Sequence, residues 1–185
     1  LIEKISSRMA QIKVGDGRRS CDMGPLVTQV HRDKVESYIL AAEQDGASVV
    51  VDGRGVVPDG DPKGFWLGPT LIDRVPLSSK VYKEEIFGPV VCVYPYSDRD
   101  EAINLANSLP YHFQAAVFTK DLDIAFDTVQ KLNATAVMVN DHTAFRVDWM
   151  PFGGRDASGE GLGGIPYTMR EMTREKLMVV KSKYL

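Results

Sequence analysis

The chain has 185 residues, of which 44% are apolar and 25% charged, and its formal net charge is −3. This length and balance are typical of a globular protein with a substantial core. Acidic and basic residues are interspersed, so there is no basic face for nucleic acid. No apolar run approaches the ~20 residues needed to cross a bilayer. We therefore expect no nucleic-acid partner and no membrane, and we expect a cytoplasmic location.

The first half of the chain predicts two helices followed by short strands. Apolar residues at helical spacing predict a helix over residues 1–12. Thr28 is a plausible N-cap for a second helix that runs to about Asp45, where Gly46 closes it. β-Branched and apolar runs then predict strands at 47–51, within 65–75 (ending near Ile72) and at 90–94, with a loop over 52–64.

The second half alternates helices and strands. A helix opens near 97–100, a second helix covers 122–132, and strands are predicted at 115–118 and 136–139. The alternation predicts an α/β fold in which a mostly parallel twisted sheet is flanked by helices. The last segment, 176–185, is rich in β-prone residues and lysine, which suits an exposed edge strand.

Residues 84–90 are the most informative segment of the chain. Two adjacent carboxylates, Glu84 and Glu85, precede an aromatic residue, a Gly-Pro turn and an apolar strand. This arrangement places a carboxylate and the Phe87 ring at the mouth of a strand, where α/β proteins bind ligands. A helix end with an exposed pair of carboxylates is the alternative from residue type alone.

This segment resembles the cofactor-contact motif of the NAD(P)-dependent aldehyde dehydrogenase superfamily. Residues 151–161 are similar to a late loop of the same family. Further matches follow the family's order along the chain: Met23-Gly24-Pro25-Leu26, Gly68-Pro69-Thr70-Leu71, Tyr82-Lys83, Asn107, Ala116-Val117-Phe118-Thr119 and Val139-Asn140. Because several motifs occur in sequence over the whole chain, the resemblance is specific.

The resemblance implies a fragment of an enzyme. The family's catalytic Cys and general-base Glu lie upstream of the segment that Leu1 matches, so we expect no catalytic residue here and no turnover by the chain alone. We expect residues 1–173 to form most of a catalytic domain and residues 174–185 an oligomerisation strand. That strand would join a dimer or tetramer. A non-catalytic module that only self-associates or binds a ligand is the alternative.

The resemblance also implies a cofactor site. Glu85 matches the residue that hydrogen-bonds the ribose hydroxyls on the nicotinamide side of NAD or NADP. A carboxylate suits a vicinal diol because it accepts two hydrogen bonds. Phe87 matches a residue that contacts the nicotinamide half, although packing in the core is its alternative role.

By position in the family, the loop after residue 140 anchors the aldehyde substrate. We expect His142, Thr143, Phe145, Arg146 and Phe152 to shape this pocket. Arg146 presents a planar fork that suits phosphonate, sulfonate or carboxylate, so we expect an anionic aldehyde. The early motifs lean toward semialdehyde dehydrogenases and the late loop toward phosphonoacetaldehyde dehydrogenases, which agree on an acidic tail. A surface ion pair of Arg146 with Asp141 or Asp148 is the alternative.

The remaining reactive residues point to no further chemistry. Cys92 lies in an apolar strand pattern and is expected to be a buried thiol. Cys21 follows two arginines that could lower its pKa, but no base and orienting group accompany it. No Cys/His cluster has metal-ligand spacing. His31 and His112 receive no functional role, and His112 replaces a glycine that is usual in the family, which leaves the local turn in doubt.

Overall fold

The computed structural model of the protein describes residues 1–58 and 63–184. They form two compact units, Leu1–Pro95 and Tyr96–Leu185. The helices are α1 (Ile2–Met9), α2 (Gln29–Gln44), α3 (Lys80–Lys83), α4 (Arg99–Ala106), α5 (Leu122–Lys131) and α6 (Ile165–Glu171). The strands are β1 (Ser48–Val51), β2 (Thr70–Asp73), β3 (Val90–Val93), β4 (Tyr111–His112), β5 (Gln114–Val117), β6 (Ala136–Val139) and β7 (Arg155–Asp156).

The first unit is built on a three-stranded sheet in the order β1-β2-β3. Strand β2 lies in the centre and all four of its residues are buried. It runs parallel to β3, with Thr70 opposite Val90. Helix α2 packs on this sheet through Tyr38 and Ala42, which form one apolar cluster with Ile72. The central position of β2 explains why its residues are buried on both faces of the sheet, including the polar Thr70 and Asp73.

Local sequence signals set both ends of α2. The hydroxyl of Thr28 accepts a hydrogen bond from the His31 amide at 3.1 Å, as an N-cap does. Gly46 follows the helix with φ +92°, a left-handed conformation that glycine adopts without strain. The predicted start and end of this helix are therefore confirmed.

Two glycines, one after β1 and one before β2, lie in close contact with each other. The Gly68 amide donates to the Gly53 carbonyl oxygen at 2.8 Å. A Cβ added to Gly53 would lie 2.0 Å from the carbonyl oxygen of Gly68, so only glycine fits at position 53. The Gly53 amide in turn donates to the buried hydroxyl of Thr70 at 3.0 Å. These bonds bring the chain back beside β1 in the opposite direction, and β1 pairs antiparallel with β2.

The second unit contains a parallel pair, β5 and β6, with Gln114 opposite Ala136. Asp98 and Asp121 cap α4 and α5 by accepting amide hydrogen bonds at 2.8 and 3.0 Å. Arg99 bonds to Asp127 across these two helices. The α/β fold class is thus confirmed, and parallel pairing occurs in β2–β3 and β5–β6, whereas β1 and the short pair β4–β7 are antiparallel.

His112 does not form the turn that a glycine in its place would suggest. It lies in β4, opposite Arg155 of β7, and its backbone is extended. Its Nδ1 atom lies 2.7 Å from the Asp156 carboxylate, and its side chain is buried. Asp156, which lies opposite Tyr111 in this antiparallel pair, has φ +53°, a left-handed conformation that aspartate tolerates. The histidine is accommodated because a strand position suits a bulky side chain.

The structure tests the remaining elements in part. The loop predicted over 52–64 includes residues 59–62, which lie outside the described residues. Residues 174–184 have no helix or strand, and the side chains of Leu177 and Val179 are 86% and 81% exposed. An edge strand forms only against a partner strand, so the C-terminal strand and the domain division at residue 173 stay predictions.

Within the described part of the chain, every helix is too short or too polar to cross a bilayer.

Candidate functional site

The predicted cofactor segment, 84–88, is a short connection between α3 and β3 that has neither helix nor strand. Ser79 caps α3 through a 3.2 Å hydrogen bond to the Val81 amide, and the helix stops at Lys83. Glu84 already has extended backbone, with φ −120° and ψ 149°. Glu85 and Phe87 are both exposed, and the Phe87 side chain is 72% exposed. The alternative role of Phe87, packing in the core, is therefore wrong.

Phe87 is held in a strained conformation by His31. Its φ of +54° is left-handed, which costs a bulky residue about 1–2 kcal/mol. His31 Nε2 lies 2.8 Å from the Phe87 carbonyl oxygen. Since a carbonyl can only accept, Nε2 carries the proton and donates. The two rings also meet edge to face, with centroids 6.1 Å apart.

Two further residues of α2 contact the same segment. The Tyr38 hydroxyl donates to the Glu84 carboxylate at 2.5 Å. This hydrogen bond, with burial of the phenol, raises the pKa of Tyr38. A Cβ on Gly88 would lie 2.8 Å from both methyl carbons of Val35, so the segment approaches α2 at a distance that only glycine permits. Helix α2 therefore contacts the segment at three points.

Sequence reasoning missed His31 and Tyr38. Their spacing with Val35, i, i+4 and i+7, places the three on one face of α2. That spacing is visible in the sequence. The partner of His31 lies 56 residues further along the chain, and the partner of Tyr38 lies 46 residues further. No local pattern reports such a contact.

The chemistry available at this segment matches a diol ligand. Within the described residues, no side chain bonds to the Glu85 carboxylate. Its acceptor oxygens are consequently available to an incoming pair of hydroxyl groups. The neighbouring Phe87 ring adds an exposed apolar surface. An unbonded carboxylate and an exposed aromatic ring therefore lie close together in sequence on this segment.

The predicted substrate loop follows β6 in the second unit. Asn140 starts it with φ +58°, a conformation that asparagine tolerates. Its amide forms two reciprocal hydrogen bonds with the Thr119 backbone, at 2.9 and 2.8 Å. These bonds extend the parallel pairing of β5 and β6 by one residue and anchor the base of the loop. The matched Asn140 therefore has a structural role here.

The first residues of the loop are exposed. The Asp141 carboxylate accepts from the His142 amide at 2.7 Å, and His142 Nδ1 accepts from the Ala144 amide at 3.1 Å. Because Nδ1 is an acceptor, Nε2 carries the ring proton of His142, and it lies 3.8 Å from the Asp141 carboxylate. Thr143 is also exposed, and the Phe145 side chain is 47% exposed.

Arg146 stacks on an aromatic pair. Its guanidinium carbon lies 3.9 Å from the centroid of the Phe152 ring. Phe152 in turn meets Phe113 edge to face, with centroids 5.0 Å apart. Its backbone exchanges two hydrogen bonds with Gly163, at 3.1 and 2.7 Å. Across the described residues, Arg146 has no carboxylate within the 4.0 Å of an ion pair, so the surface pair with Asp141 or Asp148 does not form.

Among the clefts formed by residues that the structure describes, two are bordered by predicted substrate residues. Arg146 borders a cleft of about 440 Å³ together with Asp148 and one face of α6. Phe145 borders a different cleft, of about 380 Å³, against β6. His142 and Thr143 border neither of these clefts, whereas Phe152 contacts Arg146 directly. The guanidinium of Arg146, the one arginine of the loop, therefore rests on the ring of Phe152.

The other candidate groups add no reactive centre. Cys21 Sγ donates to the Gly15 carbonyl oxygen at 3.0 Å. Arg18, one of its flanking cations, is engaged by Asp16 at 2.6 Å. Burial raises the pKa of the Cys92 thiol, as expected of an unreactive thiol. No cluster of three or more His, Cys, Asp or Glu in the described ranges is arranged to hold a metal ion.

Comparison with known proteins agrees with the motifs. The model of the aldehyde dehydrogenase family matches residues 1–178. The chain is 39% identical over 180 residues to a malonate-semialdehyde dehydrogenase of Pseudomonas aeruginosa, covering 95% of the chain and 36% of that protein. It is 33% identical over 180 residues to a 3-sulfolactaldehyde dehydrogenase of Priestia aryabhattai, covering 97% of the chain and 36% of that protein.

Its fold is similar to that of a solved family member. The NAD+ complex of an aldehyde dehydrogenase from Bacillus cereus superimposes with a TM-score of 0.87 at 31% identity, covering 94% of this chain and 34% of that one. The chain therefore spans about a third of the length of the proteins that it matches. Both the family match and the shared fold extend over nearly all of its residues, and the chain belongs to the aldehyde dehydrogenase family.

Proposed function

We propose that this chain is part of an enzyme that oxidises an aldehyde to the acid with NAD or NADP. The observation that carries the proposal is the outward display of Glu85 and Phe87 on a segment that α2 holds at three points, in a member of this family. Glu85 would accept hydrogen bonds from the ribose hydroxyls. Phe87 would cover the nicotinamide half of the cofactor and exclude water.

The cofactor supplies the hydride acceptor, and this chain supplies groups that hold it. A nucleophilic Cys and a general-base Glu would come from sequence outside these 185 residues, as the resemblance implies. The chain alone would then have no turnover. We also propose a cytoplasmic location and a homo-oligomer, dimer or tetramer, formed through residues 174–185, whose exposed apolar side chains support self-association.

The proposed substrate class is an aldehyde with an anionic tail. Arg146 supports it, because stacking on Phe152 occupies one face of the guanidinium and leaves its N–H edge to a ligand. A carboxylate, sulfonate or phosphonate would accept two of these N–H groups side by side. The names of the two relatives contain malonate semialdehyde and sulfolactaldehyde, and both of these aldehydes carry such a group.

The first measurement is the intact mass of the protein from its source cells. A mass well above 20.5 kDa places this chain within a longer enzyme. That protein is then assayed for NADH or NADPH formation with anionic, neutral and cationic aldehydes of matched length. A mass of 20.5 kDa without turnover would overturn the enzymatic proposal and favour a module that only self-associates or binds a ligand.

Arg146→Ala tests the substrate class in the same assay. We expect KM for an anionic aldehyde to rise about ten- to hundred-fold, the loss typical of a charge-assisted pair, while KM for a neutral aldehyde barely changes. Arg19→Ala, at an exposed arginine of the first unit, serves as the matched control. Equal effects of Arg146→Ala on both aldehydes would exclude a role in recognising the anion.

A further inference from the structure

The two glutamates of the segment 84–88 differ in their contacts. Both are exposed, but the Glu84 carboxylate bonds to Tyr38 of α2, whereas no described side chain bonds to the Glu85 carboxylate. Ile86 packs against the apolar clusters, and Gly88 lies against Val35. Glu84 has extended backbone, with φ −120° and ψ 149°, in which successive side chains point to opposite faces, so Glu85 points away from the side that Glu84 takes.

The opposite directions of Glu84 and Glu85 couple the two side chains. A slip or rotation of the segment by one residue would turn Glu84 outward and Glu85 toward α2. Packing of Ile86 resists such a slip through burial, and Gly88 resists it by close approach. The Tyr38 hydrogen bond is the polar contact that distinguishes Glu84 from Glu85, which otherwise have the same side chain.

Tyr38 is well placed to make this distinction. Its side chain is only 3% exposed, so the ring has little freedom to move. The Lys80 ammonium lies 4.7 Å from the ring centroid, and Lys34 lies 5.9 Å from it on the same helix as Tyr38. A buried hydroxyl also requires a partner, and Glu84 is the partner.

We infer that Tyr38 is a positioning residue for the cofactor site, which holds Glu84 against α2 so that Glu85 faces outward toward the ribose hydroxyls. This inference rests on the proposed function, because it takes Glu85 as the ribose ligand. In this inference Tyr38 acts through Glu84 rather than by contact with cofactor or substrate. Its effect is transmitted through one hydrogen bond and through the opposite directions of the Glu84 and Glu85 side chains.

Tyr38→Phe tests the inference in the complete enzyme, because it keeps the ring and its packing but removes the hydroxyl. We expect Kd and KM for the cofactor to rise on the order of ten-fold, the effect of losing one hydrogen bond to a charged group. KM for the aldehyde stays unchanged. Tyr94→Phe is the matched control, since Tyr94 packs against the same apolar cluster and lies outside the segment.

Glu84→Ala and the double variant separate positioning from simple stability. If the hydrogen bond acts as inferred, Glu84→Ala, which removes the acceptor, raises cofactor Kd, and adding Tyr38→Phe to it has little further effect. Tm is measured for each variant, because a merely structural role would lower Tm and leave cofactor Kd at the value of the unmodified enzyme. That outcome would overturn the inference.

The two levels of the proposal fail differently. If the unmodified enzyme neither binds NAD or NADP nor reduces it, the proposed function is wrong. If it binds the cofactor and Glu85→Gln weakens binding, but Tyr38→Phe does not, the cofactor site stands and the positioning role of Tyr38 is wrong.

Discussion

The guanidinium carbon of Arg146 lies 3.9 Å from the centroid of the Phe152 ring, and this stacking determines how the loop presents its charge. Phe152 is held by its backbone bonds to Gly163 and by the edge of Phe113. An arginine that rests on a fixed ring loses fewer degrees of freedom when it binds an anion than a free surface arginine does. The aromatic base therefore favours recognition of a planar or tripodal anion.

Phe152→Leu removes this base while keeping an apolar side chain of similar size. We expect KM for an anionic aldehyde to rise about two- to five-fold, in line with a cation–π contact of up to ~1 kcal/mol. KM for a neutral aldehyde should stay within a factor of two of its original value by the same reasoning. Steady-state kinetics with both substrates measures this, and Phe126→Leu, at an exposed phenylalanine on α5, is the control. No change with the anionic aldehyde would show that the stacking is incidental.

Phe87 allows strain and ligand contact to be separated. Phe87→Ala and Phe87→Gly both remove the ring, but only glycine relieves the φ of +54°. We expect the glycine variant to be more stable than the alanine variant by about 1 kcal/mol in denaturant unfolding. Both variants should raise KM for the cofactor to a similar extent. A stability order in which alanine exceeds glycine would argue against left-handed strain at this position.

Gly88 sets the approach of the segment to α2. Gly88→Ala places a methyl group 2.8 Å from the Val35 methyl carbons, and we expect it to cost about 1–3 kcal/mol of unfolding free energy. In a Val35→Ala background the same change should cost at least ~0.5 kcal/mol less, because space has been made. Urea unfolding of the four proteins measures this coupling.

Gly24→Ala is the control for that cycle, since nothing lies within 4 Å of the Cβ it would add. Strictly additive effects of Gly88→Ala and Val35→Ala would mean that the two positions do not touch.

Asp16 provides a prediction about pH. Hydrogen bonds from Arg18 lower the pKa of Asp16 from 3.8 to about 2. Because the pKa is lower in the folded protein, ionised Asp16 stabilises the fold above about pH 4, and this contribution is lost as pH falls through 2. A carboxyl NMR titration should give a midpoint near 2 that moves toward 3.8 in Arg18→Ala. Arg19→Ala should move it much less, and a midpoint near 3.8 in the unmodified protein would contradict the pairing.

Local chemistry made several features of this protein predictable. Thr28 and Gly46 mark the ends of α2 because one offers a capping oxygen and the other a left-handed backbone at no cost. The β-prone residues within 65–75 and at 136–139 predict strands, and the structure has strands at Thr70–Asp73 and Ala136–Val139. The Glu85 carboxylate and the Phe87 ring were predicted to be available to a ligand because both belong to one short motif, and both are exposed in the structure.

Contacts between distant residues were decided by the tertiary structure alone. Tyr38 meets Glu84 and His31 meets Phe87 across 46 and 56 residues, because α2 packs on the sheet beside the connection to β3. Arg146 likewise stacks on Phe152 and leaves nearby carboxylates unpaired with it, which only the path of the loop determines. Residue type and spacing establish which face of an element is available, whereas the packing of whole elements selects the partner that this face meets.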